Sequence, residues 1–130
     1  MKERPDLFDQ LVERHPFEMD CERQEKFIAA VNESYRHHYQ SCAAYRRFCL
    51  RRGFDGSHEF TRLEDIPFLS VQAFKENPEL LCSVPEAEIK VRLSSSATSG
   101  KPSTVVIDKK TSKRQIKALA TVMSAVLGRK

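Results

Sequence analysis

The sequence has no apolar run approaching the roughly 18 residues that a membrane-spanning helix requires, so no span is expected. Its opening residues, Met1-Lys2-Glu3-Arg4-Pro5-Asp6, lack the apolar core of a secretory signal, which points to a cytoplasmic protein. Cys21, Cys42, Cys49 and Cys82 include no Cys-x-x-Cys pair, which argues against a zinc ribbon or a dithiol redox motif. Cys42 and Cys49 lie seven apart, on one face of a helix, and are expected as free core thiols. His15, His37, His38 and His58 have no carboxylate or nucleophile at a telling spacing. Neighbours such as His37 and His38 point in different directions on a helix, so no metal site is expected. A net charge of +4 falls short of a nucleic-acid footprint. There is no internal repeat.

What is present is ordinary globular material: 130 residues, 40% hydrophobic and 31% charged, enough for a domain with a real core. Pro5 to Val12 is expected as a short helix, ended at His15-Pro16 because a residue before proline avoids helical angles. Asp20 is a good N-cap. From Cys21 to Arg52 there is neither glycine nor proline, and Phe27, Val31, Tyr35, His38, Cys42, Tyr45 and Cys49 recur at three- and four-residue steps. That spacing predicts one long amphipathic helix closed by Gly53, with Arg46, Arg47, Arg51 and Arg52 suiting the helix dipole. Ser70 is expected to cap a short helix reaching Lys75, broken by Pro78.

Beyond that point the period changes. Ile89, Val91 and Leu93 alternate with Lys90 and Arg92, as in a half-buried strand, and Thr104-Val105-Val106-Ile107 forms a second, β-branched strand. Thr111 or Ser112 is expected to cap a final helix with an apolar stripe of Ile116, Leu119, Ala120, Met123 and Val126/Leu127. Between the strands, five of the six residues from Ser94 to Ser99 carry a hydroxyl. Gly100 is free to adopt positive φ, Lys101 adds a compact charge and Pro102 restricts the preceding residue. Converging N–H groups, hydroxyls and one lysine suit a polyphosphate. A Ser-rich linker has a similar composition, but strands on both sides favour a built loop. It is not a Walker A motif: Pro102 follows Gly100-Lys101, and no glycine lies five residues before Gly100.

Ser95-Ser96-Ala97-Thr98-Ser99-Gly100-Lys101-Pro102-Ser103 resembles the Ser-Ser-Gly-Thr-Thr-Gly-Lys-Pro phosphate loop of the adenylate-forming superfamily. The flanks, Ile66-Pro67-Phe68-Leu69-Ser70-Val71…Phe74-Lys75 and Val106-Ile107-Asp108…Thr111…Gln115, resemble more narrowly its acyl-protein synthetase (LuxE-type) branch, over roughly residues 60–120. Ala97 stands where the superfamily usually has glycine, and Ser103 where many relatives carry lysine.

The resemblance implies an α/β fold: a helix-rich N-terminal region (1–88), then the first strands and a helix of an adenylate-forming domain (89–130), an incomplete domain from the N-terminal part of a longer enzyme. It implies ATP-dependent activation of a fatty acid to acyl-AMP, then transfer to a protein cysteine, with Mg²⁺ on the phosphates. The implied phosphate-binding residues are Ser95, Ser96, Thr98, Ser99, Gly100 and Lys101, with Lys101 also catalytic through the charge on departing pyrophosphate. Remaining superfamily motifs, and the acyl-accepting cysteine, have no counterpart among these residues, so a fragment inactive alone is expected. An acyl-CoA/aldehyde-type reductase and an acyltransferase are the implied partners. Two alternatives stand beside it: a phenylacetate-type acyl-CoA ligase, and a small basic helical module contacting anionic partners through Arg46–Arg52 and Lys109–Lys117.

Overall fold

A computed structural model of the chain describes residues 6–97 and 100–128. The first helix, α1 (Leu7–Glu13), is capped by Asp6, whose carboxylate accepts the Asp9 N–H at 3.0 Å. The expected start at Pro5 lies outside the described residues. Helix α2 (Cys21–Ser41) begins at Asp20 as anticipated, the Asp20 carboxylate accepting the Arg23 N–H at 2.7 Å.

The single long helix expected up to Arg52 is instead two helices. Cys42 is extended (φ −119°, ψ 105°) and separates α2 from α3 (Ala43–Arg51). No glycine or proline marks the break; tertiary contacts outweigh helix propensity there. Cys42 is buried and its thiol donates to the Leu80 carbonyl at 3.3 Å, while Tyr45 Oη donates to Pro67 O at 2.9 Å. Breaking the helix strands carbonyls at the end of α2. The Arg46 guanidinium fills two of them, donating to Tyr39 O at 3.0 Å and Gln40 O at 2.9 Å. Gly53, at φ +81°, follows α3 in the left-handed conformation the sequence assigns to it.

The core lies in this helical half. Tyr35, Cys49 and Phe60 are buried together, with Tyr39, Tyr45, Phe48, Phe54 and Ile66 packed around them. Phe60 meets Tyr35 edge-on at a 5.0 Å ring separation. Burial pushes the Tyr35 phenol up to about 12, aided by neighbouring Cys49, so its O–H remains a donor, to Asp55 O at 2.7 Å. Asn32, only 2% exposed, is the buried polar residue here. Its amide nitrogen donates to Phe60 O (2.8 Å) and Ile28 O (3.1 Å), and its oxygen accepts the Phe60 N–H (2.8 Å). One side chain on α2 thus pairs both backbone groups of Phe60.

After a 3₁₀ turn at Leu63–Asp65, α4 (Val71–Glu76) starts where expected, although Ser70 makes no side-chain capping bond. A second 3₁₀ turn occupies Pro78–Leu81 and a third Glu86–Glu88. Strands β1 (Ile89–Ser94) and β2 (Thr104–Asp108) form an antiparallel hairpin, with Ser94 opposite Thr104, Leu93 opposite Val105 and an irregularity between Ile89 and Val91. β1 is not the half-buried strand its alternation predicts: Leu93 is 50% exposed. Two strands cannot cover each other's faces, and in the described part of 89–128 Ile107 is the buried apolar residue.

Helix α5 (Lys109–Leu127) starts earlier than expected. Its cap is Asp108, which accepts the Thr111 N–H at 2.7 Å, rather than Thr111 or Ser112, because the strand runs into the helix without a turn. The apolar stripe Ile116, Leu119, Met123, Val126 and Leu127 faces outward, exposed. α5 instead packs on α1 through ion pairs: Asp6 with Lys110 (2.7 Å) and Arg114, Asp9 with Arg114 (3.0 Å), and Glu13 with Lys117 (2.5 Å). The Arg114 guanidinium also lies over the Phe8 ring, 5.0 Å from its centre. The whole is the helix-rich α/β arrangement anticipated from the sequence.

This clasp carries a pH dependence. Burial alone would raise the Asp6 carboxyl. The hydrogen bonds from Lys110 and the Asp9 N–H, with the charges of Arg114 and Lys110, outweigh it and hold the group down at about 2, from 3.8. A carboxyl lowered on folding stabilises above its unfolded value, and that contribution drains as pH falls from 3.8 through about 2. We expect α1 to loosen from α5 in that window, seen as movement of the α1 amide resonances during an acid titration. Arg114→Ala, which removes both Asp6 and Asp9 contacts, should loosen α1 already near neutral pH. Resonances of α1 that stay fixed through the window would contradict the clasp.

Candidate phosphate loop

Residues 95–103 join β1 to β2, so the hydroxyl-rich stretch is the tip of a hairpin rather than an interdomain linker. Of the residues singled out from sequence, Thr98 and Ser99 lie outside the described residues. The neck is tightly bonded. Ser95 N–H donates to Ser103 O at 3.0 Å. Ser103 N–H donates to Ser95 Oγ at 2.9 Å, and Ser103 Oγ–H donates to the same oxygen at 3.0 Å.

The tip is exposed. Gly100 donates its N–H to Ala97 O at 3.2 Å with φ +113°, in the left-handed region that disfavours any side chain. Ser96, Gly100 and Lys101 are exposed, and Lys101 has no ion-pair partner among the described residues. An exposed lysine with no ion-pair partner among the described residues, beside a glycine turn and the exposed Ser96 hydroxyl, is a fitting set of donors for an anionic ligand. The loop carries no carboxylate, and among the described residues no group of three or more His, Cys, Asp or Glu could hold a metal ion.

A cleft of about 860 Å³ opens beside the hairpin, between α2, α5, β2 and the segment from Leu69 to Val84. Thr104, the first residue after the loop, lines its rim, while Leu69, Phe74 and Val106 give it an apolar wall. His38 Nδ1 lies 2.7 Å from Ser83 Oγ on this wall. Burial, then the neighbouring His37, lowers the His38 pKa, favouring the neutral ring. The cysteines do not form a site: Cys42 and Cys49 are buried, and burial pushes the Cys49 thiol up, opposite to the shift of a reactive thiol.

The basic clusters are largely consumed internally. Arg46 caps α2, Arg52 lies over the Phe48 ring at 4.7 Å, and Lys110, Arg114 and Lys117 pair with α1. Lys109 donates to Ala87 O at 2.9 Å. That weighs against a module built for anionic polymers. Among the described residues no helix is long and apolar enough to cross a membrane.

Sequence comparison supplies the class. The family model for acyl-protein synthetase, LuxE, matches residues 3–130, and the chain belongs to that family. It is also similar to a long-chain-fatty-acid–luciferin-component ligase of Photorhabdus luminescens, 34% identical over 79 residues. The aligned stretch covers 61% of this chain and 65% of the relative. No solved structure matches.

Sequence reasoning did not single out Asn32, whose buried amide has no periodic signature, or the Ser95–Ser103 pairing, which requires the hairpin register.

Proposed function

We propose that this chain supplies the ATP-gripping part of a ligase that activates a fatty acid as its acyl-adenylate, with release of pyrophosphate, before acyl transfer to a protein cysteine. The observation that carries this reading is the exposed Gly100-Lys101 turn on a hairpin whose neck is fixed by serines, in a chain of the acyl-protein synthetase family. Residues 1–88 act as a helical platform and 89–130 as the part that holds the nucleotide. The loop's N–H groups and the Ser96 hydroxyl replace water around the β- and γ-phosphates. Lys101 offsets the charge that grows as the bond between the α- and β-phosphates breaks. Magnesium, when bound, neutralises phosphate charge. The ligase name of the relative favours a fatty acid as substrate. An acyl-CoA/aldehyde-type reductase would be a fitting consumer of the transferred acyl group.

In the native protein, Ser96→Ala and Thr98→Ala should each weaken fatty-acid-dependent exchange of pyrophosphate into ATP, about threefold or more per lost hydrogen bond. Exchange at the unaltered rate in both variants would remove the loop from the reaction.

A further inference from the structure

We infer that Ser103 is a positioning residue that turns Ser95 into a directed phosphate donor; the inference rests on the proposed role of the loop in holding ATP. A serine hydroxyl has one proton to give and room for two incoming hydrogen bonds. Both acceptor positions of Ser95 Oγ are filled from Ser103, by its N–H at 2.9 Å and its Oγ–H at 3.0 Å. The Ser95 backbone N–H is engaged as well, on Ser103 O at 3.0 Å. What remains to Ser95 is its own hydroxyl proton, which this arrangement leaves for a ligand. A hydroxyl that accepts two hydrogen bonds is also polarised into a better donor. The hydroxyl pair therefore forms a short relay, from Ser103 to Ser95 to a phosphate oxygen.

The same bonds hold the loop's two ends together before any ligand arrives, which reduces the ordering cost of binding. Ser103 contributes through Ser95 and the neck, without itself touching the nucleotide. Threonine keeps the hydroxyl on the same carbon and should preserve the relay; alanine removes it while leaving the backbone bonds intact.

The test is titration of MgATP and of AMP into the wild-type chain and into Ser103→Ala, Ser103→Thr, Ser95→Ala and the double alanine variant, with melting curves for each. MgATP affinity should fall about three- to tenfold in Ser103→Ala and recover in Ser103→Thr. AMP affinity and the melting temperature should be unchanged. The double variant should lose no more than Ser95→Ala alone, because Ser103 works through Ser95. Wild-type affinity in Ser103→Ala, a loss that threonine fails to restore, or a loss confined to a lowered melting temperature would each overturn the relay while leaving the phosphate loop in place. If the wild-type chain distinguishes MgATP from AMP in no respect, the loop reading itself falls, and the relay with it.

Discussion

Asn32→Ala should destabilise the folded chain by about 3 kcal/mol, a large effect for a residue remote from the loop. Asn32 is 2% exposed and Phe60, its partner, is likewise 2% exposed. Alanine would leave the Phe60 N–H and C=O without partners in a place water does not reach, so the cost is that of stranded groups rather than of one exchanged bond. The loss would also spread. Phe60 packs on Tyr35 and Phe54, and these rings hold α2 and α3 to the chain that leads on to the hairpin. Denaturant unfolding of the two proteins gives the difference directly. A change below about 1 kcal/mol would show that the clamp is dispensable.

Lys101→Ala should weaken MgATP binding about ten- to a hundredfold while leaving AMP binding unaltered. The side chain is exposed at the hairpin tip and pairs with no carboxylate among the described residues, so its removal takes away a charge available to the ligand. Ion pairs that a ligand must first break lower its affinity; among the described residues no such pair stands in the way. Lys101→Arg, by contrast, keeps the charge but spreads it over a planar fork, and should recover only part of the loss. Equal weakening of MgATP and AMP in Lys101→Ala would place the lysine away from the β- and γ-phosphates.

The parts of this structure that could be read from sequence are those written in local chemistry. Asp20 and Gly53 mark helix ends through side-chain capping and positive φ, and both do so here. The change from helical to alternating period at Ile89 located the hairpin, and with it the position of the loop between two strands. The division of the long helix at Cys42 was not legible, because its causes are partners far along the chain, Leu80 and Pro67. The same holds for the start of α5. Asp108 lies on both the strand and the helix cap, and pattern alone assigned it to the strand's end. The outward stripe on α5 shows the limit of periodicity from another side: apolar spacing identifies a face, while ion pairs with α1 decided which face packs.

Within the loop, residue types pointed to phosphate chemistry, but their pairing did not follow from them. Ser95 reads as one more hydroxyl in a row until the register puts it across from Ser103. The most direct measurement is hydrogen exchange of segment 95–103 with MgATP, with AMP and without ligand. Protection of this segment by MgATP and not by AMP is the predicted result. Unchanged exchange there, with protection appearing only along the cleft between α2 and α5, would contradict the assignment of the phosphates to this loop.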